Sequence, residues 1–142
     1  QLSLGSLYGG MCLGPVNTAA VHALAYPLGG EFKIAHGISN SMLLPHVIEY
    51  NLESAIERYA NIALAMGVEE GSHAEETAQR GLHRMKELSR QCGIPQHMAE
   101  LGVPLEAIPK LAASAMTVTR LLKNNPREMT KEAACAIYKA AY

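Results

Sequence analysis

His22 and Tyr26 stand four residues apart in VHALAY, and His36 follows fourteen residues after His22. Positions i and i+4 of a helix project from one face a turn apart, so a helix here sets the imidazole and the phenol side by side. Gly29-Gly30 permits a turn that folds the next helix back and carries His36 toward His22. Neutral imidazole nitrogen binds Zn2+ or Fe2+ at ~2.0 to 2.2 Å, which makes the two histidines candidate ligands of one ion. Nitrogens sharing an ion lie ~3 to 4.5 Å apart. Two ligands do not make a tight site, however, and a third and usually a fourth are needed. Residue types alone leave the commoner role open, a hydrogen-bonded neutral histidine in an apolar core.

The elements that must position these groups read as helices. Leu4, Leu7, Tyr8 and Met11 recur at spacings of three and four, and Gly14-Pro15 interrupts them. A second helix is expected from Pro15 or Asn17, capped by Asn17 or Thr18, to Gly29-Gly30; it is apolar nearly all round and so buried at the centre. A third begins just past His36, capped by Ser39 or another polar group, and passes through Met42, Leu43, Leu44, Val47 and Ile48, with Pro45 expected to kink or restart it. Residues 52 to 66 form a fourth. Residues 72 to 92 form a fifth, with a capping box in Ser72-His73-Ala74-Glu75 and a stop at Gly93. After a turn at Met98 to Leu101 come a helix from Leu105 to about Leu122, a break at Asn124-Asn125-Pro126, and a last helix capped by Thr130. The expectation is one all-α, multi-helix bundle of about seven helices, a single domain over residues 1–142.

Composition agrees. The 49% apolar content rests on Ala, Leu, Ile, Val and Met, with one Phe and no Trp among 142 residues, favouring helix over strand. At this length folding buries roughly two thirds of the unfolded surface. Twelve Lys and Arg against thirteen acidic residues leave no electrostatic footprint for nucleic acid or an anionic membrane. No apolar run reaches the ~18 residues of a membrane span. Cys12, Cys92 and Cys135, three scattered thiols, read as reduced cytoplasmic cysteines. The opening QLSLGSLYGG has no basic segment and no Met, and reads as the interior of a longer polypeptide. All thirteen acidic residues are Glu; there is no Asp.

Residues 14 to 51, GPVNTAAVHALAYPLGGEFKIAHGISNSMLLPHVIEYN, closely resemble the C-terminal segment of iron-containing (group III) alcohol dehydrogenases, in which an H…HPLG…(P)HG…N…LLPHV pattern occurs. GIPQHMAELGV at 93 to 103, NNPREMT at 124 to 130 and the closing IYKAAY are similar to that family's tail, so the resemblance covers essentially the whole chain. It implies a dehydroquinate synthase-like, iron alcohol dehydrogenase C-terminal domain. It also implies a divalent metal, typically Fe2+ and in some members Zn2+, held by one Asp and three His. Two of those His match His22 and His36, while the Asp and the other His belong to a region before this chain begins. The lack of Asp fits that division. The resemblance places the nucleotide, NAD or NADP, largely on an N-terminal α/β domain with a Gly-rich phosphate loop, a motif not found here. It thus implies an oxidoreductase fragment that acts on a small alcohol or aldehyde only with its missing N-terminal domain.

Tyr26 departs from the pattern, whose commonest residue there is a His thought to help proton transfer near the nicotinamide. Tyr can donate a hydrogen bond, but an ordinary pKa near ~10 makes it a poorer shuttle at neutral pH, and a pocket-wall role is the alternative. His46 carries no metal role over from the resemblance. His73, His83 and His97 read as solvated, Arg127 as a partner for a Glu, the methionines as core filler and Cys12 as buried. Without its nucleotide domain, the wall around His22, Tyr26 and His36 is expected to stand exposed and drive self-association into a homo-oligomer. The rival is a helical interaction or scaffold module without metal chemistry, in which the two imidazoles lie apart.

Overall fold

A computed structural model describes all of residues 1–142. It contains eight α-helices and no strand: α1 Leu2–Val16, α2 Ala20–Phe32, α3 His36–Asn51, α4 Ile56–Ala65, α5 Ala74–Gln91, α6 Ile108–Met116, α7 Thr119–Leu122 and α8 Lys131–Ala140. Single 3-10 turns occur at Leu52–Ser54, Met98–Leu101 and Leu105–Ala107. No helix is long and apolar enough to cross a membrane.

The expected bundle is present. α2 lies against α3 and α6, α6 against α8, and α4 against α5, which also meets α3. The main core joins Leu24 and Leu28 of α2, Leu43 and Val47 of α3, Leu111 of α6 and Tyr138 of α8. A smaller cluster holds Ile48, Leu52, Ala60, Ala78 and Leu82 between α3, α4 and α5. α3 serves both cores, one along each side. α2 is central, as its apolar circumference requires: Ala20, Ala23, Leu24 and Leu28 are wholly buried.

Several boundaries differ from the sequence-based expectation, each for a local reason. α2 starts at Ala20 without a side-chain cap, because Asn17 takes φ 67° and spends its Oδ1 on the Thr18 N–H. It runs past Gly29-Gly30 and stops where Lys33 takes φ 57°, its N–H donating to Gly29 O and Ile34 N–H to Leu28 O. Glycine permits a left-handed stop but does not impose one. Pro45 neither stops nor restarts α3, which begins at His36 itself with no side-chain cap. Residues 52 to 66 break at Ala55. The helix expected to reach Leu122 divides at Val118, where Thr117 Oγ1 donates back to Ser114 O at 2.7 Å. α5 is capped by His73, not Ser72: His73 Nδ1 accepts the Glu76 N–H at 3.2 Å, while Glu76 accepts the Ser72 N–H at 2.7 Å. Thr130 caps α8 as expected.

α1 has no buried residue, and Leu4, Leu7, Tyr8 and Met11 are 50–65% exposed. Cys12, expected in a core, is exposed on this helix. With Gly5, Gly9, Gly10 and Gly14 in its body, α1 gives up ~1 kcal/mol of helix propensity at each. Packing is what normally stabilises such a helix, and none of the residues of α1 is buried within this chain.

Candidate metal centre

α2 is held at both ends and in its middle. Asn124 Nδ2 donates to Thr18 O at 2.9 Å just before it begins. The buried Tyr138 hydroxyl donates to Leu24 O at 2.6 Å, and burial pushes that phenol well above its ordinary range. Lys110 Nζ meets Glu31 Oε2 at 2.6 Å near its close. With Ala20, Ala23, Leu24 and Leu28 turned into the core, the 3.6-residue period leaves His22 and Tyr26 on the outer side. Lys33 then reverses the chain, and α3 starts on His36.

This turn brings the three sequence-derived residues together. The rings of His22 and His36 have centroids 5.2 Å apart and planes tilted by 59°. Tyr26 and His36 lie 5.9 Å apart at 30°. His22 is half-buried and His36 exposed, while Tyr26 is 44% exposed. A 370 Å³ hollow beside them is lined by Asn17, Thr18, Val21, His22, Asn40 and Leu44, among others. Desolvation first, and then the charge of His36, hold the His22 imidazole below its ordinary 6.5. Its neutral form, the one with a lone pair to give, is therefore favoured at neutral pH.

The centroid spacing of the two rings matches that of two imidazoles on one divalent ion. With metal–nitrogen bonds of ~2.1 Å and the usual tetrahedral angle, two imidazoles on one ion have centroids about 5 Å apart. No third His, Cys, Asp or Glu joins them. Ser39 Oγ and Asn40 Oδ1, in the turn after His36, are buried without hydrogen-bond partners.

The sequence of the whole chain, residues 1–142, matches the profile of the Fe-containing alcohol dehydrogenase family, C-terminal. The chain belongs to that family. It is 38% identical to lactaldehyde reductase of Escherichia coli over all of its length, and 35% identical to 1,3-propanediol dehydrogenase of Citrobacter freundii. In each case it spans 37% of the relative's length. Among solved structures, it superposes on alcohol dehydrogenase from Oenococcus oeni with a TM-score of 0.88 at 35% identity, covering 94% of this chain and 35% of that one. 1,3-Propanediol oxidoreductase gives 0.85 at 36% identity, covering 89% and 33%.

The other candidates of this family member sort by contact. His46 is half-buried at a separate 340 Å³ pocket with Lys86, Arg90 and His97. Burial, Lys86 and His97 hold it below 6.5 against the opposing pull of Glu49. His83 is exposed beside Glu87, and His97 and His73 cap helical turns. Arg127 pairs with no Glu. It stacks 4.4 Å over the Tyr50 ring and donates to Tyr50 O at 3.0 Å. Asn40 was not a sequence candidate, although its place four residues after His36 in HGISN signals that the two share a face.

Proposed function

We propose that this chain is the C-terminal helical domain of an NAD(P)-dependent, metal-containing alcohol dehydrogenase, with His22 and His36 as two ligands of an Fe2+ or Zn2+ ion. The observation that carries this reading is the 5.2 Å approach of two tilted imidazoles from successive helices. Burial also draws the His22 imidazole below its ordinary 6.5, which favours the form with a lone pair to give. A divalent ion at such a site supplies Lewis-acid polarisation of an alcohol or carbonyl oxygen.

This chain's own residues hold and orient. His22 stands in the first turn of α2, where the Tyr138 hydroxyl holds Leu24 O, and His36 opens α3 after the reversal at Lys33. Tyr26, exposed beside His36, would serve as a wall of the site and as a hydrogen-bond donor to a substrate oxygen. The relatives' names include reduction of lactaldehyde and oxidation of 1,3-propanediol, and a small alcohol or its aldehyde is the substrate class we assign. The nucleotide, NAD or NADP, and the other ligands belong to the remaining part of the parent protein. The bare apolar α1 and the open side of the His pair are the surfaces that part covers, or that a homo-oligomer buries. Three free cysteines suit a reducing cytoplasm.

The test uses the full-length protein that carries this domain. His22→Ala and His36→Ala are each expected to cut bound metal to a small fraction and to abolish alcohol oxidation, with helical content retained by circular dichroism. Tight stoichiometric metal binding in the double variant would defeat the assignment.

A further inference from the structure

We propose that Asn40 is a positioning residue that fixes the His36 imidazole for metal binding; this rests on the ligand assignment above. Asn40 lies one turn beyond His36 on α3. Its Nδ2 stands 3.2 Å from Nδ1 and 3.1 Å from Nε2 of His36, and donates to the His36 carbonyl oxygen at 2.8 Å. The two ring nitrogens sit on opposite shoulders of the imidazole, each lone pair in the ring plane and directed away from the other. A donor equidistant from both lies on neither axis. It rests against the ring as a whole, and both nitrogens stay available. A hydrogen bond aimed at one nitrogen would compete with a metal or with the N–H that fixes the tautomer; this contact does neither.

The other end of the amide bears a cost. Asn40 Oδ1 is buried and has no donor. Turning the amide over would set Oδ1 against the His36 carbonyl oxygen, acceptor against acceptor. The bond to that carbonyl therefore locks the orientation that leaves Oδ1 unpaired. A buried acceptor without a partner opposes folding, and a fold keeps such a group where it holds something else in place. Asn40 also lines the hollow that His22 lines, so it touches one proposed ligand and reaches toward the other.

The positioning role makes two readouts move in different directions. In the full-length protein, Asn40→Leu keeps the bulk of the side chain and removes both the ring contact and the orphaned oxygen; Asn40→Ala serves if the larger side chain does not fold. The thermal midpoint of the metal-free variant should be unchanged or raised. Its Co2+ affinity, measured by chelator competition, should fall about 10- to 100-fold, with a shifted Co2+ visible spectrum. A merely structural Asn40 predicts the reverse, a lowered midpoint with unchanged affinity and spectrum, and that result would overturn the inference. His36→Ala run in parallel separates the two layers. If it loses the metal while Asn40→Leu does not, only the positioning role falls. If it keeps the metal, the ligand assignment falls and the role of Asn40 goes with it.

Discussion

Gly81→Ala sets two effects of known size against each other in the middle of α5. In an exposed helix interior, replacing Gly by Ala gains about 1 kcal/mol of propensity. Gly81 is not exposed. With Thr77, Ala78 and Leu82 it forms the buried face of α5. A Cβ built there meets the Ala63 Cβ at 2.5 Å and the Ala63 Cα at 3.2 Å. Carbon atoms pack at about 3.5–4.0 Å, so α4 and α5 must part by roughly 1 Å. That gap costs a quarter to a half of the dispersion at each contact along the seam, and overpacking of this kind costs about 1–3 kcal/mol. Ala63 is wholly buried and its backbone shares the clash, which puts the cost in the upper part of that range. The net expectation is a loss of about 1–2 kcal/mol, seen as a thermal midpoint about 3–7 °C lower and a reduced urea midpoint at unchanged slope. Ala63→Gly on the same background reopens the seam, so the double variant should recover most of the loss, with a coupling energy of at least ~1 kcal/mol. A single Gly81→Ala variant as stable as the parent, or more so, would refute the reasoning, since propensity would then outweigh the close approach of the helices.

Tyr138→Phe removes a fully buried hydroxyl that donates to Leu24 O at 2.6 Å; unfolding free energy should drop by about 1–2 kcal/mol, measurable by urea denaturation, with no drop meaning that α2 is not braced there. Replacing His46 by Gln should flatten the acid side of the stability profile. His46 sits below its ordinary 6.5 because of burial, Lys86 and His97, with Glu49 opposing. Between its folded and unfolded pKa values the unfolded chain binds the extra proton, so stability is full above about pH 7 and falls as pH drops below 6.5. An identical slope in parent and variant would show that other groups set it.

The helical class, the buried α2, the cap at Thr130 and the shared helix face of His22 and Tyr26 were legible in one dimension, because each depends on residues three or four apart in a regular helix. The ends of α2 and α3 were not. Gly29-Gly30 and Pro45 are permissive or costly locally, and packing of α2 and α3 against each other and against the core overrode them. His73 in place of Ser72 as the cap depended on which side chain the bend at 72–73 pointed back at Glu76. Arg127 chose the face of Tyr50 over any Glu because the residues before it bring it to the end of α3, where Asn51 and Asn125 exchange amide hydrogen bonds of 2.8 and 2.7 Å.

By itself the sequence determined what types of group this domain carries and their order along the chain: two imidazoles separated by a turn, a phenol one helical turn from the first, and no Asp. Tertiary structure alone decided that the two ring centroids come within 5.2 Å, that burial draws His22 below its ordinary pKa, and that Asn40 lies against His36. The reason is range. Helical periodicity acts over a few residues, whereas α2 is stopped by the left-handed Lys33 and held in place by side chains such as Tyr138, more than a hundred residues farther along the chain.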